Sequence, residues 1–273
     1  MFQQGGVVSE LLAMPREWLA ATGEIARFTG QIVRDVFTLR VFRFLGEALR
    51  QAGILIIGST AVIWGLVFFV GLGACGIQAG YFTESTGTPA YAGFFAAWCN
   101  LREAVPLVFG YMMSAKVGTG IVAELGAMRI SEEIDALEVM GVDSMVFLCA
   151  TRLLAAWIVL PFMYVASIGV AFGASYLAIV EQLGFTSSGG YLLIFWQFQN
   201  PTDYLFSVIK GMTMATAIVL VACYYGYNAS GGPVGVGKAT AKSMVLNLIL
   251  VNVLDALGTQ IFWGTNARAP VGG

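Results

Sequence analysis

Three long stretches of this chain contain no charged residue. They cover residues 51–83, 153–180 and 211–237, and each exceeds the roughly 20 residues that an α-helix needs to cross the hydrocarbon core of a bilayer. Only 11% of all residues are charged, whereas about a quarter are charged in a typical soluble domain. Apolar length and low charge therefore predict an all-α integral membrane protein.

The apolar segments predict five membrane spans, at residues 54–75, 94–122, 153–178, 205–227 and 244–263. Four residues interrupt the second span: Arg102, Glu103, Pro106 and Lys116. The proline with two adjacent charges predicts a broken or re-entrant helix lining a cavity, because a charged pair facing lipid is costly. The connectors 76–92 and 179–203 contain no Lys or Arg, whereas the chain before the first span is rich in arginine. By the positive-inside rule the N-terminus is predicted to be cytoplasmic.

The N-terminal segment, residues 1–50, mixes arginines with aliphatic and aromatic residues. Helices of this kind lie in the membrane interface, with arginines near the lipid phosphates and apolar side chains in the headgroup boundary. We therefore expect two parts in the chain. These are N-terminal amphipathic interface helices over residues 1–50 and a five-span domain over residues 51–273.

The composition changes abruptly within residues 116–143, where an apolar helix gives way to a short acidic one. Small residues recur at every fourth position of the apolar helix: Ala115, Thr119, Ala123 and Ala127. Residues four apart share one helical face, and a strip without bulky side chains allows close approach of another helix. This strip is predicted to be the packing face of the second span.

The acidic segment predicts a separate cytoplasmic helix over residues 131–141. Ser131 stands at the N-cap position, acidic residues in the first turn suit the helix dipole, and Gly141 ends the helix. Apolar residues share one face of this helix: Ile130, Ile134 and Leu137. We interpret the segment as a helix that docks a partner, and a solvated acidic loop is the alternative.

Several chemistries are excluded by what the sequence lacks. It contains no histidine, which excludes His-based zinc sites and Ser-His catalysis, so that no metal site and no catalytic residue is predicted. It has no GxxxxGK[ST] loop, so any nucleotide hydrolysis belongs to another chain. A net charge of −2 without a basic block argues against nucleic acid. The four cysteines are interpreted as packing residues, and a disulfide between Cys75 and Cys99 stays open.

Two motifs resemble a known family. Residues 101–106 read LREAVP and residues 116–143 read KVGTGIVAELGAMRISEEIDALEVMGVD, which is similar to the MlaE/YrbE family of lipid-transporting ABC permeases that work with Mce-domain proteins. The arginine-rich N-terminus and the ARAPVGG tail resemble actinobacterial YrbE subunits more than proteobacterial MlaE. The resemblance implies a non-catalytic permease in the inner (plasma) membrane that imports lipid.

The resemblance also implies partners. They are a cytosolic ABC ATPase that binds ATP and Mg²⁺, a second YrbE-type permease in a heterodimer, Mce-domain proteins and the lipid, while this chain binds no cofactor. In the family the segment matching residues 131–141 is a coupling helix in a groove of the ATPase. The expected coupling residues are Glu132, Glu133, Ile134, Asp135, Leu137, Glu138 and Gly141. The acidic groups would meet basic groups of the ATPase, with Ile134 and Leu137 as buried anchors.

Ionisable residues inside the spans are the candidates for lipid contact, because such charges line a cavity or pair with one another. They are Arg102, Glu103, Lys210 and Asp255. The resemblance implies that they face a lipid cavity between two permeases, and a structural Arg–Glu pair is the alternative. Gln78 matches a glutamine common in the family. Apolar residues of the first and fifth spans are expected to hold acyl or sterol carbon: Leu66, Phe69, Leu250 and Leu254.

Three other functions stay open at the level of the residues. Ser175 lies in a span and with Lys210 would form the Ser-Lys pair of an intramembrane hydrolase. Glu103 and Asp255 would serve an ion-coupled secondary transporter, although the hydropathy shows no inverted repeat. The third is a passive membrane scaffold. Apolar linings discriminate weakly between lipids, so fatty acid, mycolic acid, sterol and phospholipid all stay open.

Overall fold

The computed structural model describes residues 23–264, which are almost entirely helical and contain no β-strand. We number the helices in chain order: α1 (residues 23–37), α2 (Arg40–Ser85), α3 (Pro89–Ile130), α4 (Glu133–Val139), α5 (Val146–Gln182), α6 (Ser188–Gln197), α7 (Pro201–Tyr227) and α8 (Gly232–Trp263). In this part of the chain α2, α3, α5, α7 and α8 are long and apolar enough to span a membrane. The predicted all-α membrane fold with five spans is confirmed.

The spanning helices are longer than the hydropathy predicted, because they continue through wider and tighter turns. Short 3₁₀ turns begin α2 and α3, at Arg40–Phe44 and Pro89–Tyr91. Turns of π-helix lie within α2, α3 and α5: Gly71–Ile77, Asn100–Ala104, Met113–Gly118, Val146–Ala150 and Leu177–Gln182. Such turns are frequent at functional sites of α-helices. The expected division after residue 50 falls inside α2, so no helix break marks it.

Three helices form the centre of the bundle and two form its flanks. The most apolar stretch is 61%, 50% and 56% buried in α3, α5 and α7, but only 17% buried in α2 and in α8. Helix α2 packs mainly on α5, whereas α8 packs on α7 and α3. We call the two ends of the bundle the α4 end and the α6 end, after the short helix at each.

Helix α1 packs against the bundle at the α4 end. Ile32 and Val36 are buried in the main core, and the Phe28 ring contacts the rings of Tyr224 and Tyr227 on α7. The described part of the N-terminal segment thus has an apolar face that is used within the chain. Its position at a membrane interface stays a prediction, and residues 1–22 lie outside the described residues.

The small-residue strip of α3 does not face the bundle. Three of its four members are exposed: Ala115, Ala123 and Ala127. The opposite face packs instead, because Val122 and Leu125 lie against Gly226 of α7 and Gly126 lies against Val236 of α8. The predicted packing face was therefore wrong, since the larger apolar residues beside the strip bury more surface than the small ones.

The four cysteines divide into two pairs with different roles. Cys75 and Cys99 form a disulfide between α2 and α3, with their Cα atoms 5.6 Å apart, so their interpretation as packing residues was wrong. Cys149 and Cys223 are free and buried, as predicted for packing residues. The disulfide fixes the α6 end of the flanking helix α2 to the central helix α3.

The contact between α2 and α5 is close enough to exclude a side chain. A Cβ atom on Gly71 would lie 2.9 Å from the Cα and carbonyl oxygen of Ala171. Next to this contact Ser175 Oγ donates a hydrogen bond to the Gly71 carbonyl at 2.7 Å and accepts one from Asn100 Nδ2 at 2.7 Å. Glycine at position 71 therefore lets backbones from α2 and α5 meet, and α3 joins them through Asn100.

We expect Gly71→Ala to lower the thermal unfolding midpoint of the detergent-solubilised protein, because overpacking of a close contact costs about 1–3 kcal/mol. Gly73→Ala is the matched control in the same π turn, since a Cβ there has no atom within 4 Å. It should leave the midpoint unchanged or raise it slightly. Equal midpoints for the two variants would contradict the close approach of α2 and α5.

Candidate functional site

Helices α3, α7 and α8 bring five ionisable residues together toward the α6 end. We call this group the charge cluster: Arg102, Glu103, Asp203, Lys210 and Asp255. Sequence reasoning named four of them and missed Asp203, which lies in the first turn of α7 and looked like the end of a polar loop. The signal that could have found it is Arg102, because a buried arginine in a span requires a carboxylate.

Lys210 is at the centre of the charge cluster and is fully buried. Its Nζ lies 2.9 Å from Asp255 Oδ1 and 3.4 Å from Glu103 Oε2. The same nitrogen donates hydrogen bonds of 2.7 Å to Thr259 Oγ1 and to the Arg102 carbonyl. Oxygen atoms of α3 and α8 thus surround a cation that α7 supplies, and the three helices are tied together at one point.

Pro106 explains why α3 needs donors from α7. Proline has no N–H, so the preceding turn lacks one of its backbone donors. Side chains of α7 donate to carbonyls in that turn: Ser207 Oγ to Leu101 at 2.5 Å and Lys210 Nζ to Arg102 at 2.7 Å. The predicted break or re-entrant start is therefore absent, and α3 continues as a helix through the proline.

Arg102 pairs with Asp203 and not with Glu103. Its Nη2 lies 2.7 Å from Asp203 Oδ2, and both side chains are 7% exposed. The guanidinium also stacks on Trp98, with its central carbon 3.8 Å from the ring centroid, and Trp263 Nε1 donates to Asp203 Oδ1 at 3.1 Å. Cation–π contact and hydrogen bonds compensate the burial of this ion pair.

Only one member of the charge cluster is substantially exposed. The side chain of Glu103 is 45% exposed, whereas those of Asp255 and Lys210 are 11% and 0% exposed. Glu103 Oε1 accepts a hydrogen bond of 2.6 Å from Thr259. Three carboxylates face two cations, so the cluster carries one net negative charge when all groups are ionised. Within one chain the cluster is thus mainly an internal connection, and Glu103 is its accessible part.

The apolar candidates lie on both flanks of the bundle. Leu66 and Phe69 are exposed on α2, and Gln78 is exposed further along that helix. Leu250 and Leu254 are half-buried on α8, and Leu254 lines an open apolar cavity of about 600 Å³ between α5, α7 and α8. Because α2 and α8 pack on different helices, the structure does not bring the two predicted groups together in one chain.

Helix α4 begins later than predicted. Glu132 adopts a left-handed conformation with φ 61°, and the helix starts at Glu133. Ser131 does not cap α4, because its single hydroxyl proton is shared between two acceptors, the Ala127 carbonyl at 3.0 Å and Glu133 Oε1 at 2.9 Å. The predicted N-cap was wrong: the serine hydroxyl completes the last turn of α3, as serine can do at helix ends.

Contacts with the bundle hold α4 in place. Ile134 is fully buried in the core of the chain, so the expectation that it anchors a partner does not hold. Glu138 Oε1 accepts a hydrogen bond of 3.2 Å from the Tyr227 hydroxyl on α7. Asp135 pairs with Arg129 on α3 at 2.6 Å. Three of the expected acidic coupling residues thus have a partner within the chain, since Glu133 also lies within hydrogen-bond distance of Ser131. All four remain exposed: Glu132, Glu133, Asp135 and Glu138.

The far end of α4 presents apolar side chains. Gly141, with φ 79°, ends the helix as predicted, and the Val142 N–H donates to the Leu137 carbonyl in a Schellman arrangement. Just before this turn the side chains of Val139 and Met140 are 88% and 69% exposed. Leu137, predicted to be an anchor, is half-buried against the core. Sequence reasoning missed the Val139–Met140 pair because it lies off the predicted apolar face.

The hydrolase alternative is not supported by the geometry. The Ser175 hydroxyl donates to Gly71 and accepts from Asn100, while Lys210 is held in the charge cluster. Neither side chain hydrogen-bonds the other, so the lysine cannot deprotonate this serine where the two side chains lie.

The fold and the charge cluster together define the class: a multi-pass α-helical membrane protein whose central helices are tied by ionised groups. Residues 48–261 match the family model described as Permease MlaE. Since this match covers most of the chain, the protein belongs to the MlaE permease family.

Relatives that are named as permeases agree with this family. A probable ABC transporter permease of Rickettsia bellii is 33% identical over 162 residues, which cover 59% of this chain and 62% of the relative. The intermembrane phospholipid transport permease MlaE of Haemophilus influenzae is 26% identical over 220 residues, covering 79% and 82%. The chloroplastic TRIGALACTOSYLDIACYLGLYCEROL 1 protein of Arabidopsis thaliana is 27% identical over 163 residues, covering 59% and 46%. The chain thus spans less than two thirds of the rickettsial relative's length.

We expect Lys210→Met to destabilise the protein by about 3–5 kcal/mol, because it leaves the largely buried carboxylate of Asp255 without its cation. Lys242→Met removes an exposed lysine of α8 and serves as the control. The double variant Lys210→Met, Asp255→Leu should recover part of the loss, since replacing both partners by apolar residues is often nearly neutral. Thermal unfolding in detergent measures all three, and equal effects of the two lysine variants would refute the role of Lys210.

Proposed function

We propose that this chain is the permease subunit of an ATP-driven lipid transporter in the inner membrane, with its N-terminus and α4 end in the cytosol. Family membership and relatives named as ABC transporter permeases support the transporter class. The similarity to the Haemophilus phospholipid transport permease supports phospholipid as the first lipid to test. In this proposal ATP and Mg²⁺ are bound by a separate ATPase, and the permease itself is not an enzyme.

The observation that carries the proposal is the surface of α4. Val139 and Met140 are exposed side by side at a helix end that would stand in water, where exposed apolar patches commonly mark an interface. Glu132 and Glu133 add exposed negative charge at the other end of the helix. An ATPase groove with an apolar floor and a basic rim would complement this surface. We therefore assign the anchor of the coupling helix to Val139 and Met140 in place of Ile134.

Contacts of α4 with the bundle would transmit its displacement. Ile134 is embedded in the core, and Glu138 is hydrogen-bonded to Tyr227 at the end of α7. Ser144, at the start of the turn into α5, donates to the same carboxylate at 2.7 Å. When closure of the ATPase moves α4, the ends of α5 and α7 must move with it or these contacts must break.

The lipid pathway requires both flanks of the bundle. Leu66 and Phe69 of α2 and Leu250 and Leu254 of α8 lie on different flanks, so a second permease subunit is needed to enclose a chamber between them. In such a chamber each buried methylene of a lipid contributes about 0.8 kcal/mol. Glu103 would lie at its mouth, with Gln78 on the same end of the bundle.

The YrbE-like motif is the basis for proposing the partner proteins and the direction of transport. We propose that the second permease is a related YrbE-type chain in a heterodimer, that Mce-domain proteins receive or deliver the lipid, and that the direction is import. The resemblance of residues 101–106 and 116–143 supports these partners.

We expect Val139→Asp to abolish or strongly reduce copurification of the cytosolic ATPase, because a carboxylate in the buried centre of an interface costs about 2 kcal/mol or more. Val234→Asp is the matched control: this valine is 71% exposed in the first turn of α8, on the same end of the bundle. Both variants should keep the thermal midpoint of the wild type. Undiminished ATPase recovery with Val139→Asp would overturn the assigned anchor.

The function itself is tested in vesicles that contain the purified complex and a fluorescent phospholipid. Lipid movement should require ATP and should be lost when Glu132 and Glu133 are both replaced by lysine, because the basic rim of the ATPase would then repel α4. Lipid movement that persists after ATP depletion would contradict the proposal and favour an ion-coupled transporter.

A further inference from the structure

A groove between α2 and α3 lies in the half of the bundle nearer the α4 end. It encloses about 250 Å³, and no member of the charge cluster lines it. Ile54 of α2 and Ile121 of α3 contribute apolar walls. Gly58 and Gly120 line it too, and a Cβ on either would have no atom within 4 Å, so both positions leave open space. The groove is therefore a separate site with room for a ligand.

Lys116 lines this groove and is an unpaired cation of the spans. It is exposed and has no ion-pair partner among residues 23–264, whereas Arg102, Arg152 and Lys210 each pair with a carboxylate. Lys116 lies six residues before residue 122, the predicted end of the second span, which corresponds to about 9 Å of helix at 1.5 Å per residue. An ionisable side chain inside a span commonly pairs with another group or lines a pathway.

Arg152 of α5 lines the same groove and forms an ion pair with Glu124, which also lines it. Its side chain is 4% exposed, and its Nη2 lies 2.9 Å from Glu124 Oε1. Its Nη1 donates to the Leu148 carbonyl at 2.6 Å, while its Nε is buried without a hydrogen-bond acceptor. Since Glu124 is paired with Arg152, the groove lining retains one unpaired positive charge, on Lys116, and one unsatisfied donor, Arg152 Nε.

We propose that the α2–α3 groove binds the anionic headgroup of a membrane lipid at Lys116, with an acyl chain along the apolar wall formed by Ile54 and Ile121. A phosphodiester or carboxylate accepts strong charge-assisted hydrogen bonds from an ammonium group. Ile54 and Lys116 of the lining are exposed at the surface of the bundle, so a lipid can enter the groove from the bilayer. The proposal rests on the lipid-transport function and adds to it a second lipid position, apart from the charge cluster.

Native mass spectrometry of the detergent-solubilised complex tests the site. The wild-type protein should retain phosphatidylglycerol in preference to phosphatidylcholine. Lys116→Gln should reduce this preference about tenfold, the equivalent of one charge-assisted hydrogen bond, and Lys116→Arg should keep it. Lys242→Gln, which removes an exposed lysine outside the groove, should keep it as well.

Two outcomes would overturn the site. The first is an unchanged lipid preference in Lys116→Gln, and the second is displacement of phosphatidylglycerol by inorganic phosphate alone, which would identify a free anion as the occupant. ATP-driven lipid movement by the wild type, measured in vesicles of the same preparation, separates this result from the proposed function. If the wild type transports lipid but Lys116→Gln keeps the wild-type lipid preference, only the groove site is refuted. If lipid binding depends on Lys116 but no ATP-driven transport occurs, only the proposed transport function is refuted.

Discussion

The structure depends on the ammonium group of Lys210, which is fully buried where three spanning helices meet. Burying a charge is tolerated only when its partners are complete, because the desolvation cost otherwise exceeds the attraction. Here α8 supplies Asp255 and Thr259, and α3 supplies Glu103 and the carbonyl of Arg102. Any relative movement of α3, α7 and α8 at this level would separate these groups in a low-dielectric interior. The three helices are therefore expected to move as one body at the α6 end.

The α4 end is built differently, and this difference bears on function. There the connection depends on hydrogen bonds at the surface, such as that between Glu138 and Tyr227, together with the buried side chain of Ile134. Such contacts rearrange at lower cost than a buried ion network. A motor that pulls on α4 would thus change the packing of α5 and α7 near the α4 end, while the charge cluster holds the other end fixed. In the proposed transporter, such a pivot would open and close the lipid pathway.

Structural features that depend on one segment alone could be predicted from the sequence. Features that depend on contacts between distant residues could not. Hydropathy placed all five spans, because burial in lipid acts on each helix alone. The break at Pro106 was predicted from one helix, but Lys210, more than a hundred positions away, supplies a donor to that helix. Periodicity identified an apolar face on α4 but could not tell that Ile134 serves the chain's own core. The same limit applies to the strip that contains Ala123, since periodicity defines faces without saying which neighbour each face meets.

Exposed apolar side chains say little about where a lipid binds, because lipid tails are themselves apolar and impose no penalty on such exposure. The sparse burial of α2 and α8 is thus compatible with plain bilayer contact. Ionisable groups indicate a binding site better, since an exposed ionisable side chain within a membrane-spanning helix is unfavourable until a ligand or partner contacts it. Glu103 toward the α6 end and Lys116 toward the α4 end satisfy this condition. Their opposite charges and different depths would favour different parts of a lipid headgroup, so a lipid passing between them would exchange one polar contact for another.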